Sequence, residues 1–396
     1  MLPSPYSPGA VPAYLAGRSA ELQLIRDRLA RIRVLGRAGG PLIAFYGSRG
    51  LGKTSLLRAA QHEAEKDGFM TVWATGRSDV ALAPELARWL ADEVRRGSFG
   101  DRSRVLVEGL DRIQVELGVP GAKVGVAASG RSESAAIERS LEDAGQFARR
   151  HDRHGLAVFV DEFQEARLED RRSLLIALQQ FNGAPSGTPV AIISAGLPSM
   201  LGAVPEAATF GERSEFVDVG LLGDVAVAEA LRLPAEELGV AWTEEAVLAA
   251  IDAAAGYPQQ VQLLGDAAWE QARPDNGGQI LAEHVRRGLE RVEQRMESLF
   301  RSRLAKLNAD HRRFIVAMAN EGEGSASGPE PSVPRWAIAI RLGISTEALS
   351  RPRQELIDRG LIETGGRGQL RFTIPGFGAY IRANLDGAEL PAVDES

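Results

Sequence analysis

The stretch P-L-I-A-F-Y-G-S-R-G-L-G-K-T-S-L-L, residues 41–57, decides the fold class of this chain. It begins with a short apolar run that ends in glycine, which is typical of a buried parallel strand. Residues 47–54 then match the pattern G-x-x-x-x-G-K-[ST], and helical sequence follows. Strand, glycine-rich turn and helix in this order predict a loop that binds phosphate.

The predicted loop has a physical basis in its glycines and in the helix behind it. Glycines let backbone N–H groups turn toward an anion, and a helix N-terminus adds partial positive charge. We expect Lys53 to reach the β- and γ-phosphates and the Thr54 hydroxyl to ligate Mg²⁺. ATP or ADP with Mg²⁺ is the predicted cofactor. The predicted nucleotide contacts here are Gly47, Arg49, Gly50, Leu51, Gly52, Lys53, Thr54 and Ser55.

A second apolar run, residues 156–160, is followed directly by Asp161 and Glu162. Ligands bind at the carboxyl ends of strands in open α/β sheets. Asp161 is therefore predicted to hold Mg²⁺ through water, and Glu162 to act as the general base on the attacking water. The alternative is a solvated acidic turn, which the presence of a phosphate loop disfavours.

Five short apolar runs alternate with helical segments, which predicts an α/β doubly wound parallel sheet. The runs cover residues 41–47, 70–74, 156–160, 190–194 and 216–219. After Leu222 no strand is expected, and the helical pattern predicts a separate helical domain. Its segments cover residues 224–233, 243–255, 258–272 and 280–307.

The C-terminal part has the pattern of a winged helix. Helices are predicted at 310–318, at 335–342, and from Ser345 or Thr346 to Arg359, where Pro352 is expected to introduce a kink. A hairpin with a glycine-rich tip follows over residues 361–374.

Composition excludes several classes of function. The 396 residues contain no cysteine, so disulfides, thiol catalysis and cysteine-ligated metals are ruled out. No apolar run reaches about 18 residues, so no membrane span is expected. The N-terminal sequence lacks the pattern of a secretory signal, and a cytoplasmic protein is predicted.

These motifs together resemble the AAA+ and STAND group of P-loop ATPases, and more narrowly the bacterial and archaeal ATPases related to origin-recognition initiators. Residues 14–22, Y-L-A-G-R-S-A-E-L, resemble the box that lies under the adenine, which implies nucleotide contacts for Leu15 and Arg18. The turn G-Y-P at 256–258 resembles a STAND lid, with Pro258 against the nucleotide. Glutamines follow it where many AAA+ lids carry a sensor arginine, which implies a slow nucleotide switch.

The resemblance extends to two further residues, each with an open alternative. Ser194, in the run 190–194, matches a polar residue that orients the attacking water, but a strand-capping serine fits equally well. Arg213 precedes the last run and matches an arginine that acts on the nucleotide of a neighbouring subunit, which implies a homo-oligomer. A surface salt bridge is the alternative for Arg213.

The predicted domains follow from these motifs. They are an N-terminal arm (1–18), a P-loop ATPase core (19–223), a helical lid (224–307), a winged helix (308–385) and a disordered tail (386–396). The core includes an insertion at 97–153 to which no function is assigned.

The winged helix is the predicted contact with double-stranded DNA. The chain carries a net charge of −7, yet residues 335–382 hold eight arginines against four acidic residues. Arg351 and Arg353 are expected to face the major groove, and Arg367 at the wing tip to reach phosphate or the minor groove. The alternatives are a regulator or defence ATPase whose winged helix docks protein, and a chaperone-like ring ATPase, which lacks an evident pore loop.

Overall fold

The fold is taken from a computed structural model of the whole chain. The structure describes residues 1–82, 85–86, 88–90, 130–183, 187–322, 330–366, 368–374 and 376–385. These divide into two compact units. The sheet unit comprises Arg18–Gly47 and Lys53–Val219, and the lid unit comprises Met1–Gly17, Ser48–Gly52 and Gly220–Ser396. Residues 97–129 of the insertion and the tail 386–396 lie outside the described residues.

The sheet unit is built on five parallel strands, as the sequence predicts. Their order is β2-β3-β4-β1-β5, so β4 lies between the strand before the phosphate loop and the strand before the acid pair. Every residue of β3 and β4 is buried, which is why both read as unbroken apolar runs. The strands are β1 Ile43–Tyr46, β2 Met70–Thr75, β3 Leu156–Asp161, β4 Val190–Gly196 and β5 Glu215–Asp218.

Helices cover this sheet and complete one apolar core. Leu141 and Phe147 of α3 and Leu174 and Leu178 of α4 pack with Val158 and other strand residues. The helices of the unit are α1 Ser19–Leu35, α2 Lys53–Lys66, α3 Gly130–Arg150, α4 Leu168–Gly183 and α5 Met200–Ala207, with 3-10 turns at Phe163–Glu165 and Thr209–Arg213.

The helical part of the lid unit corrects one prediction. Strands do occur within the stretch 224–307 that was predicted to be helical, because β6 and β7 pair in parallel, two residues each. Such short strands carry no periodicity that sequence analysis can detect. The elements are α6 Asp224–Glu236, β6 Ala241–Trp242, α7 Glu244–Ala254, α8 Pro258–Ala272, β7 Gln279–Ile280 and α9 Ala282–Ala305.

The N-terminal arm packs on these helices. The Tyr6 hydroxyl donates to the carbonyl of Leu231 and accepts from Trp242 Nε1 at 2.7 Å. The Tyr6 ring stands edge-on to Trp242 and Trp269, with centroids 6.1 Å away in each case. A Cβ at position 265 would lie 2.8 Å from this ring, so Gly265 of α8 makes room for the arm.

The C-terminal module of the lid unit has its own apolar core, which includes Phe314, Ile338, Leu356, Phe372 and Phe377. Its antiparallel sheet has the order β8-β10-β9. The hairpin and the first two helices lie where they were predicted, whereas β8 and α13 were not foreseen. The elements are α10 Ala309–Glu321, β8 Val333–Pro334, α11 Arg335–Leu342, α12 Ser350–Asp358, β9 Ile362–Gly366, β10 Gln369–Phe372 and α13 Phe377–Asn384.

The prediction for the third helix of this module was wrong at its start. The helix begins at Ser350, and Ser345 instead accepts a hydrogen bond from the Ala348 N–H in the preceding turn. Pro352 therefore lies in the first helical turn, where backbone N–H groups have no intrahelical partner. No kink is required there.

None of the described helices is both long enough and apolar enough to cross a membrane.

Candidate functional site

The phosphate loop and the acid pair meet in the sheet unit through a threonine and an aspartate. The Thr54 hydroxyl, in the first turn of α2, donates to Asp161 Oδ2 at 2.8 Å. Asp161 ends β3 and is buried, and this burial raises the pKa of its carboxyl. A hydroxyl and a carboxylate are hard oxygen ligands of the kind that Mg²⁺ takes beside nucleotide phosphates. The pair fits the predicted metal site.

Lys53 begins α2 and closes the phosphate loop. Its side chain is buried, and Nζ donates to the carbonyl of Gly47 at 2.8 Å. The ammonium group thus lies across the base of the loop, the position from which it would reach phosphate oxygens. Ser55, the next predicted contact after Thr54, follows in the same helical turn and is half-buried.

The central part of the loop, residues 48–52, belongs to the lid unit. Its backbone conformation requires glycine at positions 50 and 52. Gly50 and Gly52 have φ of +80° and +84°, which disfavours any residue with a Cβ. A Cβ at position 50 would also collide with the Tyr257 hydroxyl. At position 52 a Cβ would meet nothing within 4 Å. Leu51, between the two glycines, is buried.

The G-Y-P turn holds this part of the loop through residues that sequence analysis did not single out. The buried Tyr257 hydroxyl donates to the carbonyl of Arg49, and the Gln259 N–H donates to the carbonyl of Gly50 at 3.3 Å. Burial raises the pKa of Tyr257. Pro258, the predicted contact, is the first residue of α8 and suits that position because it needs no N–H partner.

The C-terminal module also contacts the loop. Glu363 of β9 is almost fully buried, and its carboxylate accepts hydrogen bonds from the Ser48 hydroxyl and from Arg371 Nε. The Arg49 guanidinium lies against the turn before β9, since a Cβ at Gly360 would be 2.5 Å from Arg49 Nε. Burial, and then the nearby charge of Arg49, lower the pKa of Arg303 in α9.

Glu162, the predicted base, follows Asp161 in the left-handed conformation, with φ 48° and ψ 44°. Its N–H donates to Asp161 Oδ1 at 3.0 Å. Gln164 Nε2 donates to Glu162 Oε2 at 2.7 Å. Sequence analysis missed Gln164, although the letters D-E-F-Q place an amide two residues after the carboxylate.

Ser194 lies inside β4 rather than at its end. It is fully buried, and its hydroxyl donates to the carbonyl of Ile43 in the neighbouring β1 at 3.1 Å. This hydrogen bond favours the structural alternative for Ser194.

Arg213 ends the 3-10 turn before β5 and is exposed. Within the described part of the chain no salt bridge is found for it. The structure thus gives no salt bridge for Arg213 among the described residues, and its action on a neighbouring nucleotide stays a prediction.

The two residues of the adenine box lie in different units. Arg18 precedes α1, is buried, and lies 3.5 Å from Glu21. Burial lowers the pKa of Arg18. Leu15 is half-buried in the lid unit.

The predicted DNA contacts are not equivalent. Arg351 and Arg353 are two residues apart on α12, so they project from different sides of the helix and cannot face one groove together. Arg351 is 90% exposed and pairs with Glu355, whereas Arg353 is half-buried and its Nε atom has no hydrogen-bond partner among the described residues. Arg367 lies outside the described residues.

A parallel sheet ordered β2-β3-β4-β1-β5, with a phosphate loop after β1 and an acid pair at the carboxyl end of β3, is the AAA+ form of the P-loop ATPase fold. Comparison with known proteins agrees. Residues 14–193 match the AAA ATPase domain family. Residues 297–381 match a domain of unknown function (DUF8462). No curated protein matches the chain.

Two solved structures share the fold over nearly the whole chain. The Walker-type ATPase of Pyrococcus abyssi has 16% identity and a TM-score of 0.57, over 96% of this chain and 99% of that one. The ORC2 protein of Aeropyrum pernix in its ADP form has 16% identity and a TM-score of 0.55, over 95% and 97%.

Proposed function

We propose that this protein is an ATP-binding, slowly hydrolysing molecular switch in which nucleotide state sets the position of a C-terminal winged helix. The contact between Ser48 and Glu363 carries the proposal, because it joins the phosphate loop to the C-terminal module by a hydrogen bond. The Aeropyrum pernix relative was solved in its ADP form, which supports a nucleotide as the ligand.

Nucleotide binding would be divided among three groups. The loop N–H groups and Lys53 would hold the phosphates, and Thr54 with Asp161 would hold Mg²⁺. When bound, Mg²⁺ supplies positive charge that stabilises the phosphates as negative charge develops. Glu162 would accept the proton of the attacking water. We leave Ser194 out of this scheme because its hydroxyl is committed to Ile43.

Coupling to the C-terminal module follows from charge. Phosphate oxygens held by the loop are anionic, and Glu363 is a buried carboxylate hydrogen-bonded to the same loop. The two negative groups repel each other, so nucleotide binding weakens the hydrogen bond between Ser48 and Glu363. By linkage, a docked module weakens nucleotide binding by the same factor. The module would thus be released when nucleotide binds.

The released module would bind double-stranded DNA. The helices α10, α11 and α12 and the three-stranded antiparallel sheet are the parts of a winged helix, and Arg351 is exposed on α12, the third of these helices. Duplex DNA binding should be measured with ATP, with ADP and without nucleotide, alongside ATP turnover. Tighter binding with ATP supports the proposal, whereas equal affinity in all three states contradicts the coupling.

A second function is favoured by an exposed apolar surface on α11. Trp336 is 61% exposed and Ile340 is 72% exposed, and they lie four residues apart on one helix face. Exposed apolar side chains of this size are typical of protein contacts. If the C-terminal module does not bind DNA but its presence changes the affinity for nucleotide, the protein is a regulator whose winged helix binds another protein.

Hydrolysis between subunits is part of the proposal, because Arg213 is exposed and free to reach a neighbouring nucleotide. ATPase activity should then rise more steeply than linearly with protein concentration and fall in Arg213→Ala. Linear activity from a protein that light scattering shows to be monomeric would contradict this role.

A further inference from the structure

We infer that Gln164 is a positioning residue for ATP hydrolysis, holding the carboxylate of Glu162 through a bridge between the ends of two neighbouring strands. The inference rests on the proposed function, in which Glu162 is the general base. Gln164 lies in the 3-10 turn Phe163–Glu165 that follows β3. Sequence motifs assign it no role.

Both ends of the Gln164 amide are engaged. Nε2 donates to Glu162 Oε2 at 2.7 Å, and Oε1 accepts from the Leu197 N–H at 3.0 Å, one residue after β4. A carboxylate can only accept and a backbone N–H can only donate, so these partners fix which end of the amide is which. Nε2 also lies 3.4 Å from Glu165 Oε1, a much longer contact.

The carboxyl end of β4 leaves room for the Gln164 side chain. Gly196 ends β4, and a Cβ at that position would collide with Gln164 Oε1. The amide can therefore approach the strand end only because residue 196 is glycine. The bridge joins the carboxyl ends of β3 and β4, which are adjacent in the sheet.

The backbone of Glu162 is fixed independently of Gln164. Its N–H donates to Asp161 Oδ1, and its carbonyl accepts from the Glu165 N–H at 2.8 Å. Gly76, after β2, packs so closely on the Glu162 carbonyl that a Cβ there would collide with it. What remains free is the rotation of the Glu162 side chain, and the hydrogen bond from Gln164 restricts it.

The chemical consequence concerns orientation. With Oε2 held by Gln164, Oε1 is the oxygen left to accept a proton from water. General-base catalysis depends on the base lying at hydrogen-bond distance from the water in the right direction. Loss of the bridge should therefore reduce the rate of hydrolysis without changing how nucleotide binds.

The test is a double-mutant cycle with Gln164→Met and Glu162→Gln in the full chain. Methionine keeps the length of the side chain and removes both hydrogen bonds. We expect Gln164→Met to lower kcat by roughly 10-fold with KM and ATP affinity unchanged. In the Glu162→Gln background it should lower kcat no further, because the group that it positions is already gone. Glu169→Gln, at an exposed site in the first turn of α4, is the matched control and should leave kcat unchanged.

Three results would overturn the inference. They are an unchanged or raised kcat in Gln164→Met, an equal fall in both backgrounds, or a fall in kcat accompanied by loss of ATP binding. Failure of the proposed function looks different, since Glu162→Gln alone would then leave turnover intact. Hydrogen exchange of the Leu197 amide supplies a readout that needs no turnover. It should be protected in the natural protein and faster in Gln164→Met, and equal rates would show that the bridge does not form.

Discussion

The Ser48 hydroxyl in the phosphate loop donates a hydrogen bond to the carboxylate of Glu363, which lies 315 residues further along the chain. Arg371 Nε donates to Oε1 of this carboxylate and neutralises part of its charge, and the Ser48 hydroxyl donates to Oε2. A nucleotide-binding loop and a C-terminal strand thus share one buried contact. Several measurable consequences depend on it.

Removing the negative charge at position 363 should tighten ATP binding. Glu363→Gln keeps the shape of the side chain and its hydrogen bond with Ser48, while the repulsion between carboxylate and phosphates is lost. We expect ATP affinity to rise by about fivefold or more, with a smaller rise for ADP, which carries less charge. Calorimetric titration measures both. Glu347→Gln, at an exposed site of the same module, is the control, and equal affinities in the two variants would contradict the linkage.

Lys53→Ala should weaken ATP binding by roughly 10- to 100-fold, because the phosphates lose a charge-assisted hydrogen bond. The matched control is Lys66→Ala, which removes an exposed lysine from the other end of the same helix. Fluorescent-nucleotide titration distinguishes the two. Unchanged affinity in Lys53→Ala at physiological salt would show that the loop does not bind phosphate.

The two arginines of α12 should contribute unequally to DNA binding. Arg351 is exposed and can reach phosphate, so Arg351→Ala should weaken binding and reduce the salt slope by about one. Arg353 is partly buried, and Arg353→Ala should change the slope less. Anisotropy titrations over a range of salt concentrations measure this, with Arg286→Ala of α9 as control. If both variants bind DNA normally but release nucleotide at altered rates, the module is a latch and not a DNA reader.

The C-terminal module should lose stability as the pH rises toward neutrality. Burial raises the pKa of Glu330 to about 7, although its carboxylate accepts a hydrogen bond from the Gly378 N–H in α13. The folded module therefore favours the protonated carboxyl of Glu330. The free energy of unfolding that this preference contributes is fully present below the ordinary pKa of about 4.5, and it is lost as the pH rises through about 7. Hydrogen exchange in α13, corrected for its intrinsic pH dependence, should accelerate between pH 5 and pH 8. In Glu330→Gln this acceleration should disappear, and identical pH profiles would refute the assignment.

The sequence predicts the sheet well because its strands are buried on both faces. Runs such as 156–160 are too apolar to be left in water, and the glycines of the phosphate loop permit the positive φ angles that its turn requires. The order of the strands in the sheet could not be predicted from the sequence, because several different orders would bury these apolar runs equally well. Two-residue strands such as β6 are also too short to give a pattern.

Some residues of the candidate site could likewise be predicted from the sequence, and others could not. Lys53, Thr54 and Asp161 are linked by local motifs to the chemistry of phosphate and Mg²⁺. Glu363 and Gln164 carry no motif, because their roles depend on partners distant in sequence or on a side-chain rotamer. Pairing of that kind is set by tertiary packing, which a single sequence does not encode locally.

The measurement that tests the switch most directly is hydrogen exchange of β9, Ile362–Gly366, with and without saturating ATP. We expect ATP to accelerate hydrogen exchange in β9 of the natural protein, because bound phosphates weaken the hydrogen bond between Ser48 and Glu363. In Lys53→Ala the ATP concentration that gives half of this effect should be roughly 10- to 100-fold higher. Identical exchange of β9 with and without ATP, under conditions where calorimetry shows the site to be full, would contradict the coupling of nucleotide to the C-terminal module.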